Sequence, residues 1–560
     1  MKKASTRIIL ACLLGSVSSI ACAQSISIPA PATRSPIDEN GVNLSTGSIS
    51  VTDPGIAIGP EGSALSHTRR WVGAGWRHSF FLTVSTTSNS ATVSIGGQSN
   101  KFNLSGGVYT PDTADGTTLT ATTNDFTYTL ADGTVFTFDR TLVNNNSSYY
   151  GTVAAVGTLV VLPNNERVTL TYKQGSYVYG SITIYTIRLQ SVNSNSGLQL
   201  KYGYVNDSLT STTVDDWYRI GNVRGINNIV EYCDPTADAC SGLTQSWPSV
   251  TYARISGGNY WSETVTDALG RARTFVADAS NRLTDVKPPS NQGTMAFTYD
   301  ANSRVASATR TGTTSYNESS STTTYTRNYA WSVANDVLTS VGTDNLGRTR
   351  TVTASTVTQN ILTDKDALNR TTSFTYDTSG RLYETIAPEG NKVQYQYDGR
   401  GNITTKTAVA KPGSGWANIV AQARFPTSCS NVKTCNKPYE TVNSRGEYTT
   451  YDYDATHGGV TKIIVTNTAA GDRETRYAYS TVYGQAKNAG GTIVDAANPI
   501  YRVTSISTCA SGTPTACVNT ANETRQTFSY GSSGDPQKLA PKSISITSGT
   551  GSVSSTTAVT

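Results

Sequence analysis

The chain has 560 residues, of which 15% are charged, and a formal net charge of +5 at pH 7. It is rich in Thr, Ser, Gly, Asn and Tyr, with 31 Tyr and only 2 Met. That composition suits extended β-structure with many turns and leaves little for long helices. The absence of any basic run gives no case for nucleic-acid binding.

Residues 1–23 read as a signal peptide. A basic start (Lys2, Lys3, Arg7) precedes the apolar Ile8–Leu14 stretch, and Ala21-Cys22-Ala23 supplies small residues before Gln24. Cleavage after Ala23 removes three positive charges and no acid, which leaves +2. The rival reading is a lipoprotein signal lipidated at Cys22. It asks for Leu three residues earlier, where Ser19 stands. The expectation is an exported chain, extracellular, at the cell surface or periplasmic. No later segment approaches the roughly 20 apolar residues of a transmembrane helix.

Residues 24–36, with Pro29, Pro31 and Pro36, read as an extended leader. Residues 37–260 read as a β-rich N-terminal domain. Phe126, Tyr128 and Leu130 alternate into Asp132-Gly133, and Val135–Phe138 returns, which is a hairpin signal. Leu198, Leu200, Tyr202 and Tyr204 mark another strand by period-two alternation.

Residues 261–405 are a regular repeat block. Tyr299-Asp300…Arg304, Tyr376-Asp377-x-x-Gly380-Arg381 and Tyr397-Asp398-x-x-Gly401-Asn402 carry its fullest form. Shorter copies centre on Asp267, Asp278, Asp344 and Asp366, with a weaker one at Asn443, and the steps are close to 11 residues or multiples of it. Alternating β-formers such as Val393, Tyr395 and Tyr397 predict half-buried strands. The Asp-x-x-Gly/Asn/Ser that follows is turn chemistry, because Asp bonds backbone two residues on and Gly or Asn tolerates positive φ. Each unit is therefore a hairpin of about 20 residues, too small to bury its own face, and stacking neighbours solves that problem.

Residues 406–530 read as degenerate repeats with disulfide loops, and 531–560 as a Gly/Ser/Thr-rich end without a capping pattern, as if the repeat array were unfinished. Six cysteines beyond the N-terminus fall in local pairs, Cys233/Cys240, Cys429/Cys435 and Cys509/Cys517. In an exported chain they read as disulfides, each worth ~2–3 kcal/mol. Fifteen connectivities are formally open, and proximity favours the local three. A zinc site is poorly supported, because the pairs are far apart and only three His exist.

The Tyr-Asp-x-x-Gly-Arg-Leu unit resembles the YD, or RHS (rearrangement hotspot), repeats of large bacterial secreted proteins. Asp38–Gly47 followed by Ile58–Gly62 is similar to the opening segment of such proteins. The resemblance implies an all-β fold: stacked antiparallel hairpins forming an extended sheet that curls into a shell or solenoid-like array. It implies structural roles for Tyr299, Asp300, Arg304, Tyr376, Asp377, Gly380, Arg381, Tyr397, Asp398 and Gly401. It also implies a C-terminal toxin domain or a cell-surface glycan or protein as partner. The family's self-cleavage segment is not visible: Asp53-Pro54 and Asp535-Pro536 lack its context.

No catalytic, cofactor-binding or metal motif stands out. His67, His78 and His457 belong to no nucleophile or metal pattern. Acid pairs such as Asp215-Asp216, and Glu61, read as solvated turn acids rather than a glycosidase pair, which needs carboxylates ~5–9.5 Å apart. The repeat Asp residues, each followed by Arg, make poor calcium ligands. Trp71, Trp76, Trp217, Trp247, Trp261, Trp331 and Trp416 are candidates for stacking on sugars, against a simpler role in sheet packing. The leading expectation is a non-enzymatic structural and interaction protein, a β-shell segment. A carbohydrate- or cell-surface-binding repeat protein is the alternative, and a glycoside-hydrolase-like enzyme a distant third.

Overall fold

The computed structural model describes residues 36–60, 64–73, 75–143, 153–289, 293–316, 319–466, 471–509, 517–552 and 554–558. The signal peptide, Cys22, Glu61 and all of the leader except Pro36 lie outside the described residues.

One antiparallel sheet of 35 strands dominates the fold. From Val153 onward nearly every strand pairs with its neighbours in sequence, as a succession of hairpins requires. Hydrogen bonding runs unbroken past residue 260, where Ser249–Gly257 pairs with Tyr260–Thr266, and past 405, where Ile403–Val409 pairs with Ile419–Arg424. The sheet is two-faced because its strands alternate. Val265, Phe275, Phe297, Val352, Phe374 and Tyr395 all point into one apolar core.

That core is completed by the N-terminal segment. A separate three-stranded sheet, Thr52–Ile58, Leu65–Val72 and Gly75–His78, lies on the apolar face. Trp71 packs 5.7 Å from Trp261, and Trp76 lies 4.8 Å from Phe275, ring centre to ring centre. At Val153–Val161 the main sheet branches. This strand pairs on one side with Val135–Asp139 and on the other with both Arg167–Tyr179 and Leu82–Thr86. The branch folds Leu82–Pro111 back around Phe102, Phe126 and Phe138, which join the same core.

Successive hairpins place their turns alternately on two rims. One rim carries the turns at 267, 344, 366 and 443, and the other those at 278, 300, 377, 398 and 454. The second rim alone is bulged. Register slips between Val276 and Ala277, Thr298 and Tyr299, Thr375 and Tyr376, Gln396 and Tyr397, and Asp452 and Tyr453. At the first-rim turns, pairing closes in step, as in Thr343↔Thr349 and Lys365↔Thr371. A bulge adds a residue to one strand, bends it and increases its twist. Repeated along one rim only, it curls the sheet in a constant sense.

The curl brings the second rim of late strands onto the first rim of early ones. Tyr501 donates its N–H to the Asn164 carbonyl (2.9 Å) and Lys487 to that of Asn228 (2.7 Å). Asn165 Nδ2 reaches the Pro499 carbonyl (2.7 Å), Asn195 Nδ2 that of Asn498 (3.1 Å) and Asn436 Nδ2 that of Ala131 (3.3 Å). The rims meet with a large offset in sequence, so the sheet is a spiral and not a closed barrel.

All three cysteine pairs lie at the rims, with Cα–Cα distances of 5.2, 4.9 and 5.7 Å for Cys233–Cys240, Cys429–Cys435 and Cys509–Cys517, within disulfide reach. The expected outcome of thiol titration on denatured, unreduced protein is no free thiol among these six. Six reactive thiols would contradict the pairing.

Candidate functional site: the repeat turns and an inner ionic cluster

The Asp377 turn shows what the repeat residues do. Its Oδ1 accepts the N–H groups of Ser379 and Arg381, both at 2.9 Å, and its Oδ2 accepts Arg381 Nε at 2.7 Å. The backbone closes the same loop, from Asp377 N–H to the Arg381 carbonyl and from Gly380 N–H to the Asp377 carbonyl. Gly380 has φ +77°. This is a three-residue hairpin loop, a type I turn followed by a left-handed residue. The carboxylate satisfies two backbone donors that the bend leaves without a strand partner. The pattern recurs at Asp267, Asp278, Asp300, Asp344 and Asp366, each with the Arg four residues on.

Substituted copies keep the geometry. At Asp398 the amide of Asn402 replaces the guanidinium and bonds Oδ2 at 2.8 Å. At 443 the polarity is reversed: Asn443 Nδ2 donates to Glu447 Oε2 at 2.6 Å. Ala387–Asn391 forms the same backbone turn with Gly390 at φ +81° and no carboxylate. It escapes recognition by motif because Ala stands where Asp does elsewhere. No metal is needed to explain these acids, and no group of three or more metal-ligating side chains lies together among the described residues.

The repeat tyrosines join one hairpin to the last. Tyr376 donates its hydroxyl to the Ile361 carbonyl (2.8 Å), Tyr397 to Leu382 (2.7 Å) and Tyr299 to Leu283 (2.5 Å). Tyr453 and Tyr530 do the same with Pro438 and Val503. Burial chiefly, with the nearby Asp377 carboxylate, pushes the Tyr397 hydroxyl up to about 12, so it remains a donor. Arg381 links both sides. It holds Asp377, stacks 4.7 Å from the Tyr397 ring centre and donates Nη1 to the Asp398 carbonyl at 2.9 Å. Among the described residues no ring stacks on the first-rim Arg271, Arg348 or Arg370, whose side chains are more than half exposed.

Sequence patterning did not single out a buried ionic cluster where the N-terminal segment meets the repeats. The carboxylate of Asp53 accepts Arg69 Nε (3.1 Å) and Nη2 (3.0 Å), and Arg273 lies 2.5 Å from its other oxygen. Arg69 Nη1 also donates to Glu263 (2.8 Å), and its guanidinium lies 4.0 Å over Tyr252. Two of these residues come from strands at 52–72 and two from strands at 260–278, so the cluster rivets the inner sheet to the outer one. The signal was present in Leu65–Val72, whose buried face reads Leu65, His67, Arg69, Trp71. An arginine and a histidine on an inward face require buried partners.

His67 and His78 stack beside this cluster, 5.5 Å apart, and His67 Nδ1 shares a hydrogen bond with the Tyr202 hydroxyl at 3.0 Å. Burial, then the charges of nearby arginines, lowers His78 to about 3, and His67 is also held far below the usual range, by burial first. Both are neutral at pH 7. Asp38 performs a related task at the start of the described chain. Its Oδ1 accepts the N–H groups of Asn40 and Val42, while Tyr329 donates to its Oδ2 at 2.5 Å.

The remaining candidates do not converge. Asp215 and Asp216 share a short helix, Val214–Tyr218, where Asp216 pairs with Arg219 at 2.7 Å. His457 packs between Tyr479 and Tyr501. Trp71, Trp217 and Trp261 are buried, and Trp76, Trp247 and Trp331 are partly so. Of the seven tryptophans, Trp416 alone is exposed.

No protein-family model and no curated protein sequence matches the chain. Among solved structures it is similar to the Tc holotoxin pore of Photorhabdus luminescens, at TM-score 0.28 and 10% identity over 88% of this chain and 27% of that one. It is similar to TcdB2–TccC3 without the hypervariable C-terminal region, at TM-score 0.29 and 10% identity over 89% and 30%. It is similar to a porin-like protein from Bacteroides uniformis, at TM-score 0.12 and 11% identity over 46% and 92%. The chain spans less than a third of the length of the first two.

Three outcomes follow from these contacts. Arg381→Ala is expected to cost more than about 1 kcal/mol in urea unfolding, and Arg370→Ala, whose salt bridge is surface-exposed, to leave the unfolding midpoint nearly unchanged. Glu263→Ala leaves Arg69 short of a partner in the core and is expected to cost about 3–5 kcal/mol. Melting temperature is expected to fall on acidification. The unfolded histidines take up protons below about 6.5, while His67 and His78 in the fold do not. Stability present above that pH is therefore lost as pH drops toward 3. In Asp300 and Asp377 burial works against the charged form, but bonds from the Arg four residues on outweigh it, and both sit below the usual carboxylate range. Their loss adds below about pH 4. A pH 5–7 slope unchanged in His67→Gln and His78→Gln variants would contradict the histidine assignment.

Proposed function

We propose that this chain is a secreted, non-catalytic β-shell segment of the RHS/YD-repeat type, which houses or delivers a C-terminal toxic domain. The observation that carries the reading is the seam, where late second-rim loops bond to early first-rim loops between residues some 300 apart in sequence. A ribbon that binds a partner along its length has no use for such a contact, whereas a wall that encloses something requires it. The repeat residues are fully occupied with turns and stitches, which fits a structural role. Export fits the three cysteine pairs at disulfide distance. Among the described residues no helix is long and apolar enough to cross a membrane.

Purification of the native exported product through its repeat block, followed by proteinase treatment, tests the reading. The expected result is a polypeptide retained with the shell, resistant until the shell is denatured and then digested. An exported product with no protected polypeptide would overturn the housing role. A second reading, sugar binding, is favoured by Trp416, which stands exposed in the Gly-rich loop at 410–418. Glycan-array binding lost in Trp416→Ala is the outcome that would support it.

A further inference from the structure

The hairpin Arg167–Tyr179/Ile182–Ser194 runs beyond the strands on either side of it. Its two strands have 13 residues each. The neighbouring strands pair only with its base, Val161–Leu159 with Arg167–Thr169 and Gln199–Lys201 with Asn193–Ser191. From Tyr172↔Leu189 to Tyr179↔Ile182 the two strands pair only with each other. The lower part of this ribbon is covered. Arg188 Nη1 donates to the carbonyls of Asn206 (3.0 Å) and Trp217 (2.9 Å), and Leu209 closes over Gly175. Above that, four residue pairs from Ser176↔Tyr185 to Tyr179↔Ile182 project about 10 Å.

The projecting tip is apolar. Val178 is 61% exposed, Tyr179 67%, Ile182 66% and Tyr185 51%. No charged residue lies between Lys173 and Arg188. Free strand edges are normally blunted with lysine, proline or a bulge, and residues 176–185 contain neither residue and no register shift. Two further exposed apolar groups lie along the same rim in strand order: Val205, after the next strand, then Ile255 and Tyr260, flanking the following tip.

We propose that the Ser176–Tyr185 tip is a membrane-docking element, which seats Val178, Tyr179, Ile182 and Tyr185 at the headgroup boundary of a lipid bilayer. The tip is convex, so a flat, deformable apolar surface fits it where a protein partner would need a matching groove. Its composition, aliphatic side chains with tyrosines, is that of membrane-interface segments, because a tyrosine ring is apolar at one end and wet at the other. The depth is limited. The outer backbone groups of a two-stranded ribbon are unpaired, and unpaired backbone is not tolerated in the hydrocarbon. A 10 Å projection matches the ~5–10 Å reach of interfacial elements and cannot span. Around its base Lys173 pairs with Asp238, Arg188 with Asp207 and Asp238, and Arg219 with Asp216, a balance that gives anionic lipids no advantage.

Flotation of the full exported chain with phosphatidylcholine vesicles tests the proposal, beside the triple variant Val178→Ser, Tyr179→Ser, Ile182→Ser. These side chains touch no core, so the variant is expected to keep the far-UV circular dichroism and melting temperature of the parent. The parent is expected to float with the vesicles, and the variant's partition to fall at least about tenfold. Adding phosphatidylserine is expected to leave both unchanged. A second measurement uses Tyr179→Trp, whose emission should shift to the blue on vesicles. Vesicle binding equal in parent and variant, or absent from both with no spectral shift, would overturn the proposal. So would lipid-free self-association of the parent that the triple variant abolishes, which would assign the tip to a second copy of this chain.

Discussion

The repeat block depends on one carboxylate, placed at the bend of seven of its hairpins, from Asp267 to Asp398. A short hairpin turn leaves backbone N–H groups facing one another with no strand to accept them. An Asp at the first position takes two of them with one oxygen and holds an arginine with the other. On the second rim that arginine is the bridge to the next unit, since its flat guanidinium covers the next tyrosine. The tyrosine hydroxyl in turn closes onto a carbonyl of the strand before. Each unit thereby fixes the register of its neighbour. A slip of one residue would turn every apolar side chain to the wrong face and break these bonds together.

Curvature comes from an asymmetry inside the same unit. The first rim turns without a register shift, and the tyrosine rim turns through a bulge. The bulge opposes Tyr376 to Leu382 and leaves Tyr383 unpaired in the ladder. A sheet bent at one rim and not at the other must coil, and here it coils until the rims meet. The N-terminal segment fills the concavity that results. Its fastening there is ionic at Arg69, Asp53 and Asp38 and aromatic at Trp71 and Trp76, so position is set by charge geometry and volume is filled by rings.

Much of this was legible in the chain itself. The Tyr-Asp period gave the hairpins, their turns and the all-β sheet, because turn chemistry and alternation are local. The seam was not legible, because Asn165 and Pro499, or Asn436 and Ala131, have no complementary pattern and meet only through accumulated curvature. The distinction between the rims was latent: Asp366 and Asp377 looked like two halves of a repeat, yet only the second follows a tyrosine and a bulge. Ala387 was missed because the backbone turn survives loss of its carboxylate. The inward arginine and histidine of Leu65–Val72 broke the alternation rule in a way that marked a buried cluster, but their partners lay some 190 residues away. The tryptophans divide by burial, which composition does not reveal.

The central claim is that the sheet winds until its opposite rims bond. Hydrogen exchange at the amides of Lys487 and Tyr501, which donate to the Asn228 and Asn164 carbonyls, tests it most directly. The account predicts that both amides are protected to the same degree as the central repeat strand Thr371–Tyr376 and open only with it. Exchange at the rate of an exposed loop, with Thr371–Tyr376 still protected, would mean an open ribbon whose rims do not meet, and would contradict the spiral.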